Sequence, residues 1–239
     1  MKYLNLTFAD PASNLACDEA MLEMFETLES EDGLLRLWEA TNYFVVLGYS
    51  SRILSEVNVA VCESEAIPIL RRVSGGGTVM QGPGCLNYSL ILRGDTFDLT
   101  NIRESFHFVL RRHRECIAQL AGVRVDIEGI SDLAIDGRKF SGNAQYRKRR
   151  FVLLHGTFLL NFAFSFVDRC LPLPTKQPGY RRQRTHLEFL ANLHLQSQIV
   201  REAVKAVWNA SREFSAVPVD KIKDLVRDRY SRQDWTWKF

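Results

Sequence analysis

Apolar residues along the chain follow two spacings, one typical of helices and the other of short strands. Helical spacing extends over residues 14–28, with Asn14 as the predicted cap, and over residues 105–120. A further helix is predicted over 55–66, and helical structure from about residue 186 to 230. Apolar runs of strand length occupy residues 34–38, 43–47, 67–70, 86–92, 123–127 and 151–160. Strand clusters with helices between and after them predict an α+β fold.

The clearest local signal is a hairpin turn at Asp136-Gly137, which separates the apolar letters LAI from the pair KF. Because side chains alternate along a strand, Lys139, Ser141 and Asn143 are predicted to share one face. Small neighbouring residues leave room for a ligand. The segment therefore presents either a cavity lined by a cation, a hydroxyl and an amide, or an ordinary exposed lysine.

The composition is that of a folded globular protein. Of 239 residues, 46% are hydrophobic and 25% are charged, which supports one large domain or two unequal ones. No uncharged apolar run approaches the ~18 residues of a spanning helix, and no apolar signal core follows Met1. We therefore predict a cytoplasmic protein with no membrane partner.

Cysteine and charge patterns exclude further classes of protein. Five cysteines are an odd number, and they are widely spaced with no Cys-x-x-Cys, so neither a disulfide framework nor a zinc site is predicted. The net charge of +3 includes basic clusters at 111–114, 147–150 and 181–184. Such clusters form solvated faces or attract a phosphate, an acidic protein or a nucleic acid. No nucleic-acid partner is expected, because no RNA-binding signature, helix-turn-helix or zinc finger can be found.

The letters RRVSGGGTV at residues 71–79 follow a predicted strand and form the first candidate site. Three glycines suit either a structural turn or a loop whose backbone N–H groups surround an anion. The segment is neither a Walker A loop nor Gly-x-Gly-x-x-Gly. Arg72 and Ser74 supply a charged donor and a hydroxyl beside the glycines, which favours anion binding.

Four other side chains are candidates, each with an alternative structural role. Asn87 follows a tight loop and would bind either a phosphate oxygen or its own backbone. Asp132 would either bind Mg²⁺ beside phosphates or stabilise the hairpin. His155 lies on a mostly apolar strand, where a core histidine is the usual outcome. Cys85 is either a buried thiol or a nucleophile.

Four segments, in their order and spacing, resemble the lipoate-protein ligase A family of the wider biotin/lipoate protein ligase group. The first carries NLA and DEA within 14–20, and the second is the glycine-rich segment 71–79. The third carries DL and GRKFSGNAQ within 132–145, and the fourth is HGTFLL at 155–160. The resemblance covers about residues 10–165.

The resemblance implies a catalytic domain with a mixed, largely antiparallel β-sheet flanked by helices. It also implies an enzyme that uses ATP and Mg²⁺ to activate lipoate or octanoate as an acyl-adenylate. The acyl group would then pass to a lysine of a lipoyl carrier domain, of the H-protein or acyltransferase-subunit type. Lys139 matches the family's essential, catalytic lysine, whose ammonium would offset the negative charge of carboxylate and phosphate.

The resemblance also assigns binding roles. The glycine-rich loop would bind carboxylate, phosphate or acyl carbonyl, Asn87 and Asp132 the pyrophosphate and Mg²⁺, and residues 141–144 the adenylate. The residues expected to bind substrate or nucleotide are Arg72, Ser74, Gly75, Gly76, Gly77, Thr78, Asn87, Ser141, Gly142, Asn143, Ala144 and His155. Asp132 is the one predicted metal ligand. An apolar channel between the loop and the sheet would hold the acyl chain.

The chain departs from the family pattern in three respects. Met80-Gln81 stands where many relatives have a histidine, and glutamine does not titrate. Residues 125–130 lack the cysteine that some related acyltransferases use as acyl acceptor, which favours adenylation. About 75 residues follow the matched core. We therefore predict a single catalytic domain over 1–239, which acts alone or with a separate small accessory subunit.

Other functions stay open from the sequence. One is an ATP-independent octanoyl or lipoyl transferase that acts through Cys85, and another is a non-catalytic lipoate- or nucleotide-binding relative. Biotin ligation is less expected, because the biotin branch has an arginine between the glycines of its loop. The letters PGYRRQRTH at 178–186 have no counterpart in the family pattern. They form either a solvated linker or a surface whose Arg181 and Arg182 steer an acidic carrier domain.

Overall fold

The fold is described by a computed structural model, which covers residues 1–28, 30, 32–97, 99 and 101–239. Its strands are β1 (Lys2–Asn5), β2 (Leu34–Glu39), β3 (Phe44–Leu47), β4 (Ile69–Arg71), β5 (Val79–Gln81), β6 (Cys85–Arg93), β7 (Asp126–Glu128), β8 (Asp132–Ile135), β9 (Arg138–Arg147), β10 (Phe151–Leu159) and β11 (Arg212–Glu213). Its helices are α1 (Pro11–Leu28), α2 (Ile53–Glu56), α3 (Val59–Ser64), α4 (Ile102–Ala121), α5 (Phe164–Cys170), α6 (His186–Phe189), α7 (Ser197–Val207), α8 (Val219–Leu225) and α9 (Gln233–Thr236).

Within these residues, eight strands form a large sheet in the order β11-β1-β2-β6-β10-β9-β8-β7, and three form a small sheet in the order β4-β3-β5. Pairing is parallel between β1 and each of its neighbours and between β3 and β4. The remaining pairs are antiparallel. The predicted α+β fold with a mixed, largely antiparallel sheet is confirmed.

Alternate residues of the large sheet face two separate hydrophobic layers, as the period of two along a strand requires. Leu35, Tyr88 and Leu154 pack in the layer that contains α4 and α7. Leu34 and Leu153 pack in the opposite layer, which contains α1 and α8. A third cluster joins the small sheet to α2, α3 and α5. In the part of the chain that is described, no helix is both long and apolar enough to cross a membrane.

Helix α1 begins earlier than predicted, because Asp10 and not Asn14 caps it. Asp10 accepts hydrogen bonds from the backbone N–H groups of Ala12 and Ser13 at 3.3 and 2.9 Å, and Pro11 occupies the first helical position, which suits proline. Asn14 instead lies inside the helix and is paired with the backbone of Phe8 at 3.0 and 2.7 Å.

Two other predicted helices are interrupted by tertiary contacts. The helix expected over 55–66 is two short helices, α2 and α3, because the backbone N–H of Asn58 between them donates to the Cys170 carbonyl at 2.7 Å. The region from 186 to 230 is not wholly helical. It contains strand β11, which pairs with Lys2 and Tyr3 of β1.

Candidate active site

A cavity of about 590 Å³ lies against the α1 side of the large sheet, which is in the usual size range of a small-molecule site. Most of the residues predicted from the sequence line it: Arg72, Ser74, Gly76, Gly77, Thr78, Asn87, Asp132, Lys139, Gly142, Asn143, Ala144 and His155. Part of its wall, here called the apolar arm, consists of Leu15, Trp38, Val46, Val73, Val79 and Leu153. The cavity therefore joins charged groups to an apolar surface.

Arg72 shapes the glycine-rich loop from inside. Its guanidinium donates to the carbonyl oxygens of Gly75 and Gly77 at 2.7 and 2.9 Å. Between them Gly76 has φ +90°, a conformation that favours glycine. Burial lowers the pKa of the Arg72 guanidinium to about 10, although the Glu56 carboxylate acts in the opposite direction. Arg72 therefore remains a cation at neutral pH, and its donors are committed to the loop.

Ser74 connects this arginine to His155 on β10. The Ser74 hydroxyl accepts from Arg72 Nε at 3.0 Å and lies 2.7 Å from His155 Nε2. Burial, and secondarily the charge of Arg72, lowers the pKa of the His155 ring to about 3. The ring is therefore neutral and shares a hydrogen bond with the Ser74 hydroxyl. His155 supports the loop through this bond, and its role in binding substrate or nucleotide stays a prediction.

Lys139 is turned into the cavity, where Asp132 holds it. The Lys139 ammonium lies 2.9 Å from Asp132 Oδ1, and the Tyr180 hydroxyl donates to Asp132 Oδ2 at 2.8 Å. A Cβ atom on Gly142 would lie 2.6 Å from Lys139 Nζ. Only glycine at position 142 therefore leaves the lysine its present place beside Asp132.

Of the three residues predicted to share one face of β9, Ser141 and Asn143 do so, since their side chains are hydrogen-bonded. The prediction is wrong for Lys139, because β9 contains a bulge before Ser141. Leu133 of β8 pairs with Ser141 while the adjacent Ala134 pairs with Lys139, so Phe140 is an extra residue. The bulge turns Lys139 to the side of Gly142. Ser141 is fully buried and accepts from Asn143 Nδ2 at 3.2 Å, and neither Ser141 nor Gly75 lines the cavity.

The hairpin that precedes this bulge is as predicted. Asp136 and Gly137 have φ values of 50° and 68°, and two consecutive positive values are the signature of a type I′ turn. β8 and β9 pair directly across it. The turn therefore brings β9 back alongside β8, and in the resulting register Gly142 lies opposite Asp132.

Buried charges beside the apolar arm were missed from the sequence. Arg36 donates to Asp18 Oδ1 at 2.7 Å, and Ser89 donates to Asp18 Oδ2 at 2.7 Å. The neighbouring Glu19 is 1% exposed, accepts from the Tyr230 hydroxyl at 2.7 Å and forms an ion pair with Arg229. In the sequence these two carboxylates were visible only as an acidic pair, Asp18-Glu19, within an otherwise apolar helix. The pair alone did not show which side chains would bind it.

Cys85 has the properties of a buried thiol. It is 1% exposed and its Sγ donates to Gln81 Oε1 at 3.2 Å. Burial raises the pKa of the Cys85 thiol to about 12, so the thiolate needed for nucleophilic attack is scarce at neutral pH. Gln81, the departure from the family pattern, lines the cavity and holds this thiol.

The residues present do not form a cage for Mg²⁺. Among the described residues no group of three or more His, Cys, Asp or Glu side chains is arranged to hold a metal ion. Both oxygens of Asp132 already accept from Lys139 and Tyr180. Asn87 donates to the Cys85 carbonyl at 3.2 Å, the backbone contact considered from the sequence. Binding of Mg²⁺ at Asp132 therefore stays a prediction, and we derive no step through it.

The segment 178–186 packs against the cavity at Arg181 and is exposed at Arg182. Arg181 is 4% exposed, and its Nε donates to the Arg184 carbonyl at 3.1 Å. Its guanidinium also lies 4.7 Å from the centre of the Phe189 ring. Pro178, Gly179 and Arg181 line the cavity. The prediction that these two arginines steer a carrier domain from the surface is wrong for Arg181, because this side chain is packed inside the loop. For Arg182, which is exposed, it stays a prediction.

Residues 10–212 match the family described as the lipoyl protein ligase A/B catalytic domain. Lipoate-protein ligase LplJ of Bacillus subtilis is 26% identical over 98% of this chain and 72% of the relative. Octanoyltransferase LipM of an Exiguobacterium species is 25% identical over 95% of this chain and 94% of the relative. The relatives thus include both a ligase and a transferase.

Solved structures show the same fold at low sequence identity. One chain of a structure described as a bi-partite lipoate protein ligase and its E2 lipoyl domain, from Thermoplasma acidophilum, superposes with a TM-score of 0.83 and 21% identity. The match covers 99% of this chain and 95% of the other. A lipoate-protein ligase A bound with ATP gives a TM-score of 0.81, 20% identity and coverage of 99% and 98%. Because the family match covers residues 10–212, most of the length of this chain, the chain belongs to the lipoyl protein ligase A/B catalytic domain family.

Proposed function

We propose that this chain is an ATP-dependent lipoate-protein ligase that activates lipoate or octanoate and transfers the acyl group to a lysine of a lipoyl carrier domain. The observation that carries the proposal is that Lys139 and the glycine-rich loop line one cavity that also contains the apolar arm. A fatty-acid carboxylate, a nucleotide phosphate and an apolar chain need these three surfaces together. A solved structure with this fold is described as bound with ATP, which supports the nucleotide.

The first step is formation of an acyl-adenylate. A carboxylate oxygen of lipoate attacks the α-phosphorus of ATP, and the bond between that phosphorus and the bridging oxygen to the β-phosphate breaks, releasing pyrophosphate. Two anions must approach for this to occur. The Lys139 ammonium reduces their repulsion and stabilises the charge that develops, while N–H groups of the glycine-rich loop bind the oxygens from the other side.

The second step is transfer to the carrier. The neutral amine of a carrier lysine attacks the acyl carbonyl, AMP leaves with the electron pair of the broken C–O bond, and the amide nitrogen loses a proton. Arg72 and the neutral His155 keep Ser74 and the loop in one geometry through both steps. The apolar arm holds the acyl chain away from water.

The binding roles of the motif residues belong to this proposal. Arg72, Ser74 and residues 76–78 would form the anion-binding wall, and Gly142, Asn143 and Ala144 the nucleotide wall opposite. Gly75 would act through Arg72, to which its carbonyl is hydrogen-bonded. Ser141 would act through Asn143, since it is buried behind it. Mg²⁺, if it enters with the phosphates of ATP, supplies charge neutralisation there.

An octanoyltransferase is the second candidate, favoured by the similarity to LipM. That reaction would need a thiolate to accept the acyl group if it used a cysteine. All five cysteines are described and all are buried. Burial raises the pKa of the Cys17 thiol to about 11 and of the Cys62 thiol to about 12, and Cys85 behaves likewise. The ligase is therefore the better supported function.

The partner is proposed to be a lipoyl carrier domain, since the structure from Thermoplasma acidophilum is described with an E2 lipoyl domain. That same description names a bi-partite ligase, which supports a separate accessory subunit for this chain too. The organisation as one catalytic domain over 1–239 and the cytoplasmic location stay predictions.

The proposal is tested by measuring pyrophosphate release from ATP with and without lipoate. We expect release to depend on lipoate or octanoate, and Lys139→Ala to reduce it by at least ~100-fold, the scale of one lost group that stabilises transition-state charge. Lys148→Ala is the matched control, because Lys148 follows β9 and pairs with Glu23 at 3.4 Å. Release that does not need the acid, or that survives Lys139→Ala in a folded chain, would contradict the proposal.

A further inference from the structure

Asp132 connects Lys139 to a residue that no motif contains. One carboxylate oxygen of Asp132 lies 2.9 Å from the Lys139 ammonium, and the other accepts from the Tyr180 hydroxyl at 2.8 Å. Asp132 itself is only 7% exposed. A buried carboxylate needs donors on both oxygens, and here one donor is a mobile cation while the other is a neutral phenol.

The loop that carries Tyr180 is fastened to the strand that carries Lys139. The backbone N–H of Ala191 donates to the Lys139 carbonyl at 2.9 Å. Arg138 donates to the Leu190 carbonyl at 2.6 Å, and Arg184 donates to the Gly137 carbonyl at 2.8 Å. These bonds attach the middle and the C-terminal end of the 178–190 loop to β9 and its turn. The Tyr180 hydroxyl is therefore held at a set position relative to Lys139.

Tyr180 is also held as a donor. Its ring packs on Phe189, with ring centres 5.1 Å apart. Asp132 Oδ2 is an acceptor, so the Tyr180 hydroxyl, 2.8 Å from it, is the donor of this hydrogen bond. Tyr180 therefore donates to Asp132 as a neutral group and does not compete with Lys139.

We propose that Tyr180 is a positioning residue for Lys139 in the ligase reaction. It acts through Asp132, whose carboxylate binds both the Tyr180 hydroxyl and the Lys139 ammonium. This inference rests on the proposed function. To contact the acyl carboxylate and the α-phosphate, Lys139 must weaken its ion pair with Asp132. The Tyr180 hydrogen bond stabilises the carboxylate that is left, and so lowers the cost of this movement.

The first test is the Tyr180→Phe variant, which keeps the ring and removes only the hydroxyl. We expect kcat for lipoate-dependent pyrophosphate release to fall by roughly 10-fold, the effect of one hydrogen bond to a charged group, with KM for lipoate and ATP unchanged. Tyr146→Phe is the control, since Tyr146 lies on the same strand and does not line the cavity. If Tyr180→Phe acted only by loosening the packing of the loop, it would instead lower the free energy of unfolding.

The second test is a double-mutant cycle with Asp132→Asn. If Tyr180 acts through Asp132, Tyr180→Phe has no further effect on kcat in the Asp132→Asn background. Acetylation of Lys139 by acetic anhydride, followed by peptide mass spectrometry, gives a readout independent of activity. The labelling rate is expected to fall in Tyr180→Phe, because the lysine stays more tightly paired.

The possible results separate the two proposals. A wild-type chain without lipoate-dependent pyrophosphate release would contradict the ligase function, whatever the labelling shows. A wild-type chain with that activity, but with kcat and Lys139 labelling unchanged in Tyr180→Phe, would overturn the role of Tyr180. The role of Tyr180 would also be overturned if Tyr180→Phe reduced kcat by the same factor in the wild-type and Asp132→Asn backgrounds, because Tyr180 would then act independently of Asp132.

Discussion

At the scale of single residues, the two cations of the cavity differ in how they are bound. Arg72 donates to loop carbonyls and to Ser74, so moving it would dismantle the loop. Among the residues that the structure describes, Lys139 has one ionic partner, Asp132, and it has a flexible four-carbon stem. We therefore expect Arg72 to maintain the shape of the anion site and Lys139 to follow the charge of the reacting groups.

A substitution at Cys85 separates the ligase from a cysteine-dependent transferase. We predict that Cys85→Ser retains lipoate-dependent pyrophosphate release within about 3-fold of the wild type. The thiol is protonated and donates to Gln81, and a serine hydroxyl can make the same bond. Intact-protein mass spectrometry is also expected to detect no thioester on the wild-type chain after incubation with an acyl donor. An acyl adduct that disappears in Cys85→Ser would favour the transferase.

His113 makes stability depend on pH. It is fully buried and accepts from Trp208 Nε1 at 2.8 Å, and burial lowers the pKa of its ring to about 3. In the unfolded chain a histidine titrates near ~6.5. Between these values the unfolded chain binds the additional proton, so the free energy of unfolding falls as pH falls from about 6.5 towards 3.

Urea unfolding at pH 5 and 7 tests this dependence. We predict that His113→Gln reduces the slope of the free energy of unfolding against pH by up to ~1.4 kcal/mol per pH unit. That is the slope produced when the unfolded chain binds one proton more than the folded chain. His107→Gln, an exposed position on the same helix, is the control and should keep the wild-type slope. Equal slopes in His113→Gln and the wild type would refute the assignment.

At the scale of elements, Arg71 connects helix α9 near the C-terminus to the start of the glycine-rich segment. Arg71 is fully buried. Its guanidinium donates to backbone carbonyls from two separate parts of the chain: Gly48, Tyr49, Ser51, Trp235 and Thr236. In return, Trp235 Nε1 donates to the Arg71 carbonyl at 2.8 Å. The adjacent arginines thus have different roles, one binding the C-terminal helix and the other the loop.

We predict that Arg71→Ala lowers the free energy of unfolding by about 3 kcal/mol or more, because several buried carbonyls lose a charged donor. Hydrogen exchange should increase most strongly in α9. Arg227→Ala, at an exposed ion pair with Asp228, should change stability by less than ~0.5 kcal/mol. Similar effects of the two substitutions in urea unfolding would show that the buried network contributes little.

Local signals predicted elements well where the decisive contacts are local. The Asp136-Gly137 turn was predicted because its residues favour positive φ by themselves. The bulge at Phe140 was not, since it depends on how β9 pairs with β8. The same reason explains the break between α2 and α3, where Asn58 is bound by a carbonyl far along the chain. Propensity and periodicity do not contain such partners.

At the scale of the whole molecule, the cavity is assembled from segments distant in the sequence. The apolar arm combines residues of α1, β2, β3, β5 and β10 with Val73, while the glycine-rich loop supplies one wall, β9 the lysine, and the 178–190 loop a further side. The motif residues could be identified beforehand because each motif is contiguous. Tyr180, Arg36 and Tyr230 could not, because their importance comes from partners 48, 18 and 211 residues away.

The most direct test of the central claim is mass spectrometry of a purified lipoyl domain after incubation with this chain, lipoate, Mg²⁺ and ATP. We expect the mass gain of one lipoyl group on the acceptor lysine, which is lost when ATP is omitted and lost with Lys139→Ala. A lipoyl domain that is modified equally well without ATP would show that the chain is not an ATP-dependent ligase.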